Sequence, residues 1–237
     1  MLPDCIIIGH RGAAGLVPEN TLLSYQSAFE FGADMIELDA HETSDGHIVC
    51  IHDYEVDRTT DGSGYIAEMS LKEIQDLDAG QGQKIPLLSE VLDFAYGKIK
   101  VNIELKVLDI EKRIATLVKE KRMMNNVIVS SFLHGTLQVM HEIDANIKTA
   151  VLFKKPLSNP IEYASELGAI ALNPLYTIVS SELIKQAHDN EIRIFPWTIN
   201  DSDTMIHFKK QGVDGIITDF PNIAIEALGY NDSTTSL

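Results

Sequence analysis

Short apolar runs alternate with amphipathic stretches along almost the whole chain. The runs lie at 5–9, 35–39, 101–105, 127–130, 148–152, 169–172, 192–196 and 214–217. Unbroken apolarity over so few residues marks a strand covered on both faces, since a half-exposed strand would alternate. Helix-like segments fall between them, near 20–31, 87–96, 109–122, 134–143, 159–167, 180–189, 201–211 and 221–228. Several carry boundary signals: Ser89-Glu90, Ser158 and Asp201 at starts, and Gly32, Gly168 and Gly212 just past ends. Eight strand–helix units predict an α/β fold of the (β/α)8 TIM barrel type. The alternative, a doubly wound sheet, would carry a glycine-rich phosphate loop after its first strand. His10-Arg11-Gly12-Ala13-Ala14-Gly15 matches neither of the usual loop patterns.

One region breaks the rhythm. Thr43-Ser44-Asp45-Gly46-His47 holds an Asp-Gly turn and leads into a further strand at 48–51. The stretch 54–84 is then rich in Gly, Asp and Thr, with one short helical piece at 70–77. It reads as an insertion over 53–85 after the second barrel strand, placed at the C-terminal rim where it can shape the entrance. Residues 1–230 otherwise form a single domain, and 231–237 read as a frayed polar tail.

Composition narrows the partners. The chain has 237 residues, 45% hydrophobic and 23% charged, and a mean hydropathy near zero. No apolar stretch approaches the ~20 residues needed to span a bilayer. The N-terminus lacks the pattern of a secretory signal, and Cys5 and Cys50 both lie in apolar runs as expected of buried free thiols. Together these predict a cytoplasmic protein. The net charge of −16 argues against a nucleic-acid or anionic-membrane partner. An anionic small molecule would need local positive charge, from a bound cation and from Arg11 and Lys106.

The candidate chemistry sits where apolar runs stop. Ile6-Ile7-Ile8-Gly9 ends at His10-Arg11; Met35-Ile36 leads into Glu37-Leu38-Asp39; Ile48 to Ile51 ends at His52-Asp53; Val101-Asn102-Ile103 leads into Glu104-Leu105-Lys106. An unpartnered buried carboxylate costs several kcal/mol, so repeated placement of ionised groups at strand ends predicts that they meet. Glu37 and Asp39 are two apart and share one face of a strand. In a barrel the lumen is the cheaper face, and Glu104 would complete an all-oxygen set suited to Mg²⁺, Ca²⁺ or Mn²⁺ rather than zinc. The competing reading pairs these acids with Arg11 and Lys106 as salt bridges.

His10 and His52 end different strands and can flank one substrate, His10 taken as base and His52 as acid. Arg11 and Lys106 are candidates for phosphate or transition-state charge. Asn20 either caps the first helix or contacts a ligand or carboxylate; Trp197 is a candidate pocket wall. Thr218-Asp219 reads as structural, and histidines 41, 47, 134, 141, 188 and 207 as surface residues.

In this combination the sequence resembles the glycerophosphodiester phosphodiesterase (GDPD) family. The matching segments are His10-Arg11-Gly12, Pro18-Glu19-Asn20-Thr21, Glu37-Leu38-Asp39, Asp45-Gly46, His52-Asp53, the run Asp57 to Gly64, Pro86 to Leu92, Glu104-Leu105-Lys106, Trp197 to Asn200 and Asp214 to Asp219. The resemblance implies a (β/α)8 barrel, one divalent cation on Glu37, Asp39 and Glu104, and acid/base roles for His10 and His52. It implies hydrolysis of a glycerophosphodiester to sn-glycerol 3-phosphate and an alcohol. Two other readings are a lysophospholipase D-like activity, which would need an apolar rim, and a non-catalytic phosphodiester-binding module, which would be expected to lack one of the paired groups.

Overall fold

The apolar runs form the staves of a barrel, because each is covered by helices outside and by its own neighbours inside. The computed structural model describes residues 5–229, so the tail expected at 231–237 lies outside the described residues. Eight parallel strands run in the order β8 (Arg193–Ile194), β7 (Ala171–Pro174), β6 (Lys148–Phe153), β5 (Val127–Ser131), β4 (Lys100–Leu105), β2 (Met35–Glu42), β1 (Ile6–Gly9) and β9 (Gly215–Thr218). Main-chain bonds from Asp214 N to Ile194 O (3.1 Å) and from Ile217 N to Pro196 O (3.0 Å) join β9 to the β8 segment and close the ring. The fold is a (β/α)8 barrel.

The helices follow the strands: α1 (Leu22–Glu30), α2 (Leu71–Asp76), α3 (Leu88–Ala95), α4 (Glu111–Glu120), α5 (His134–Ile143), α6 (Pro160–Glu166), α7 (Ser181–Asp189), α8 (Ser202–Gln211) and α9 (Pro221–Ala227). Local chemistry sets several of their ends. Thr21 and Asp201 accept the N–H groups of Ser24 (3.2 Å) and Thr204 (2.9 Å) as N-caps. Gly212 ends α8 at φ 88°, a left-handed conformation that glycine adopts without strain.

Strand parity divides the core. Alternate residues such as Ile7, Ile36, Leu38, Val101 and Ile103 face the helices in the main cluster. Their neighbours Ile8, Met35, Ile128, Ala150, Ala171, Phe195 and Ile217 fill the lumen. Above that apolar plug the lumen turns polar.

Two elements depart from the predicted lengths. β2 runs to Glu42 because β3 (Ile48–Cys50) pairs with it antiparallel, Ala40 opposite Cys50 and Glu42 opposite Ile48. β8 has only two residues, although Phe195 N and Trp197 N still donate to β7; Pro196 has no N–H to offer on the side that faces β9. Between β3 and α3, α2 and a short 3₁₀ turn at Ile66–Glu68 pack around a separate apolar cluster of Val49, Ile51, Val56, Ile66, Ile74 and Ile85. No helix among the described residues is long and apolar enough to cross a membrane.

The histidines expected at the surface divide. His47, His141, His188 and His207 are exposed. His41 is buried: it sits on the β2 extension, its Nε2 is 3.2 Å from the His52 carbonyl, and its ring meets Tyr54 edge-on. Burial pushes its pKa down to about 4. His134 is half-buried, with Nε2 2.7 Å from the Leu152 carbonyl and Nδ1 3.1 Å from the Tyr163 hydroxyl.

Candidate active site

The register of the parallel strands assembles the site. Glu37 stands opposite Asn102 and Asp39 opposite Glu104, so all four point into the lumen at the C-terminal end. Oxygens of Glu37, Asp39 and Glu104 lie within 4.8 Å of one another, and each residue is buried. His10 and Arg11 leave β1 beside them, His52 arrives from β3, and Lys106 follows β4. His10, Arg11, Glu37, His52, Glu104 and Lys106 line one cavity of about 550 Å³. Its far wall is made by Phe132, Leu133, Leu152, Lys154 and Trp197.

Two cations thread the acids. Lys106 Nζ is 2.8 Å from Glu104 Oε1 and 3.3 Å from Asp39 Oδ1, and Arg11 Nε is 3.3 Å from Asp39 Oδ2. The salt-bridge reading therefore describes part of the geometry, but the charges do not balance. Arg11 also serves Glu19 at 2.9 Å, and three buried carboxylates remain against two shared cations. The imbalance shows in the protonation equilibria. Burial and the neighbouring Asp39 push Glu37 up to about 8. Burial and Asp39 also raise Glu104. Burial works against ionised Asp39 as well, yet Lys106 and Arg11 together hold it below the usual carboxylate range.

A divalent cation fits this cluster. Asp39 Oδ1 is buried and aligned for no hydrogen bond despite its proximity to Lys106, and a divalent cation beside Lys106 and Arg11 would offset the cost of packing three acids together. The donors are all hard oxygens, as Mg²⁺, Ca²⁺ and Mn²⁺ prefer.

Each histidine is pinned through Nδ1 by a carboxylate. His10 Nδ1 is 2.6 Å from Asp219 Oδ1, and His52 Nδ1 is 2.6 Å from Asp53 Oδ1. Burial disfavours the His10 imidazolium, but Asp219 and Glu37 outweigh it and raise the pKa. Burial keeps His52 below its ordinary value; Asp39 and Asp53 oppose that, and the Arg11 and Lys106 charges reinforce it.

The remaining sequence-derived candidates divide. Trp197 lines the cavity, its Nε1 donating to the Asn173 carbonyl at 2.8 Å and its ring edge-on to Phe132. Asn20 does not contact the cavity. It is buried, donates to Asp39 Oδ2 at 2.8 Å and accepts from the Tyr25 hydroxyl at 2.9 Å, so it orients a carboxylate while Thr21 does the capping. Asp219, expected to be structural, is the partner of His10 and is itself held by Asn200 Nδ2 at 2.6 Å. Asp53 and Arg58 also escape the sequence reading. Arg58 bonds Asp53 Oδ2 at 2.5 Å and reaches Glu19 at 2.7 Å, tying the insertion to the site. Their one sequence signal is membership of the family-like segments His52-Asp53 and Asp57 to Gly64.

Comparison with known proteins agrees with this geometry. Residues 10–223 match the model of the glycerophosphoryl diester phosphodiesterase family. A glycerophosphodiester phosphodiesterase of Caldanaerobacter subterraneus subsp. tengcongensis is 40% identical over 233 residues, covering 93% of this chain and 96% of the relative. The solved phosphodiesterase of Oleispira antarctica, in complex with the product sn-glycerol-3-phosphate, superposes with a TM-score of 0.87 at 26% identity, over 94% of this chain and 96% of that one. The glycerophosphodiester phosphodiesterase of Thermotoga maritima does so at 0.84 and 26%, over 94% and 98%. The lumen carboxylates, the paired histidines and a match spanning nearly the whole barrel lead to one assignment: the chain belongs to the glycerophosphoryl diester phosphodiesterase family.

Proposed function

We propose that this protein is a divalent-cation-dependent phosphodiesterase that hydrolyses glycerophosphodiesters to sn-glycerol 3-phosphate and an alcohol, using His10 and His52 for proton transfer. The observation that carries this reading is the meeting of both imidazoles with Glu37 and Glu104 at one cavity, with Asp39 clustered against those two carboxylates. Those three carboxylates would hold the cation, which supplies neutralisation of phosphoryl charge and acidification of a nearby hydroxyl. Lys106 and Arg11 flank the same cluster and add positive charge for a phosphate.

With Nδ1 engaged by a carboxylate, each imidazole keeps Nε2 for proton exchange with a substrate in the cavity that both rings line. One histidine takes the proton of the glycerol hydroxyl as it attacks phosphorus, and the other protonates the departing alcohol; water then opens the cyclic phosphate. The surroundings favour His52 as base and His10 as acid, the reverse of the order expected from sequence. Asp219 is held by the neutral amide of Asn200 and keeps its full charge for the His10 imidazolium. Asp53 is neutralised by Arg58. His52 is thereby oriented without being charged, as a base requires.

The test is release of sn-glycerol 3-phosphate from glycerophosphocholine, glycerophosphoethanolamine and glycerophosphoglycerol, with lysophosphatidylcholine alongside. Hydrolysis of the first three, abolished by chelator and restored by Mg²⁺, Ca²⁺ or Mn²⁺, is expected. Turnover of lysophosphatidylcholine alone would favour the lysophospholipase D reading, and binding without turnover the non-catalytic one.

A further inference from the structure

Two buried polar side chains in the cavity have no partner among the described residues. Ser130 Oγ and Asn102 Oδ1 make no hydrogen bond, although Ser130 is 0% and Asn102 2% exposed. Both line the same cavity as the histidines and carboxylates. Their positions follow from the register: Asn102 is beside Glu37, and Ser130 is beside Glu104, continuing the row Asp39–Glu104 onto the next strand. Neighbouring strands are about 4.8 Å apart, so a molecule held at the carboxylates is within reach of these two groups as well as of the flanking cations.

An orphaned buried hydroxyl or amide destabilises a fold, because desolvation is not repaid by a bond. The chain shows at the adjacent residue how it satisfies a serine when the role is structural. Ser131, of opposite parity, donates to the Leu105 carbonyl at 2.7 Å and accepts from Leu133 N at 2.9 Å. Asn20 is likewise bonded at both ends of its amide. Thr149, Asn173, Gln211 and Asn222 also hold an unbonded buried atom, but among these neutral side chains Ser130 and Asn102 are the two that line the cavity and can meet what it takes in. The matching chemistry is a hydroxyl, which can donate to one oxygen and accept from the other group.

We infer that Ser130 and Asn102 form a hydroxyl-binding subsite for the glycerol half of the substrate. The inference rests on the phosphodiesterase reading above and adds to it a means of selection. A site built to bond a hydroxyl rejects the analogue lacking it, because its own polar groups are then left unpaired. Selection for glycerol over a deoxy analogue would thus arise at the floor of the cavity and not from the phosphate contacts, which both ligands share.

The experiment is calorimetric titration of the full chain, in Mg²⁺, with sn-glycerol 3-phosphate and with propyl phosphate, for the wild type, Ser130→Ala and Ser131→Ala. Thermal unfolding of each without ligand accompanies it. The wild type is expected to prefer glycerol 3-phosphate by at least about 10-fold, as loss of hydrogen bonds to a substrate hydroxyl implies. S130A should lose most of that preference through weaker binding of glycerol 3-phosphate, with propyl phosphate unchanged. Its Tm should hold or rise, whereas S131A should lower Tm and keep the preference. Equal binding of both ligands by the wild type, unchanged preference in S130A, or a Tm loss in S130A matching that of S131A would overturn the subsite. If the wild type also releases no glycerol 3-phosphate from diesters, the parent reading fails with it; if release is normal, the subsite alone fails.

Discussion

The two histidine–carboxylate pairs look alike in distance and differ in what stands behind them. Both Nδ1···Oδ1 separations are 2.6 Å. Behind Asp219 is an amide, Asn200, so the pair is a carboxylate with one cation to gain. Behind Asp53 is the Arg58 guanidinium, so the carboxylate already has its counter-ion, and it is held down at about 2, first by Arg58 and then by His52. Both hydrogen bonds favour a charged ring, but at His10 Asp219 and Glu37 outweigh burial, whereas at His52 burial and the Arg11 and Lys106 charges prevail. Two like residues thus meet different electrostatic surroundings, which the proposed acid and base roles would use.

The comparison can be broken at each layer. Removing either imidazole has the largest expected effect: His10→Ala and His52→Ala should each lower kcat by about 10²–10⁴-fold. Circular dichroism and Tm should show the fold retained, and near-normal kcat in both would end the acid/base scheme. Next is Asp219→Asn, expected to lower kcat by about 10–100-fold through loss of orientation and charge. It should also move one limb of the pH profile. His10 as acid must be charged, so activity falls as pH rises through its pKa; without Asp219 that pKa drops, and the alkaline limb shifts to lower pH. A shift in the acid limb instead would return the base role to His10.

Arg58→Met should act on the other limb with a smaller change in rate. It frees the Asp53 charge, which raises the His52 pKa. A base must be neutral, so activity falls as pH drops through that pKa, and the acid limb of kcat/KM should move to higher pH. An unmoved acid limb would show that Arg58 serves only to anchor the insertion. Smallest is Thr21→Ala. Loss of the α1 cap should cost about 1 kcal/mol by denaturant unfolding and leave the pH profile alone. A large loss of turnover would mean that the cap also sets Asn20 against Asp39.

These pairs also mark how far the sequence could be read. The i, i+2 spacing of Glu37 and Asp39 fixes a shared face in any strand, and the apolar runs place that face in a lumen, so the carboxylate cluster was legible from parity alone. The match of Asp39 with Glu104 needed only adjacent strands in register. Asp219 was not legible. It reaches His10 across 209 residues, through the closure of β9 onto β1, and no local pattern encodes that closure. The Asp53–Arg58–Glu19 chain was hidden for a related reason, since its geometry depends on how an irregular segment folds back over the rim. His41 misled because the predicted second strand stopped short. Pairing with β3 carried it onward and buried a ring expected in solvent. Ser130 reads as ordinary strand sequence, and only the parity seen in the barrel separates it from Ser131.

On the proposed reading, Glu37, Asp39 and Glu104 hold one cation between two histidines. Anomalous diffraction from crystals soaked in Mn²⁺ tests it most directly. A single strong peak is expected about 2.1–2.6 Å from an oxygen of each of the three carboxylates, on the cavity side facing His10 and His52. An empty cluster with Lys106 and Arg11 drawn in as the sole counter-ions, or a peak elsewhere on the barrel, would contradict it.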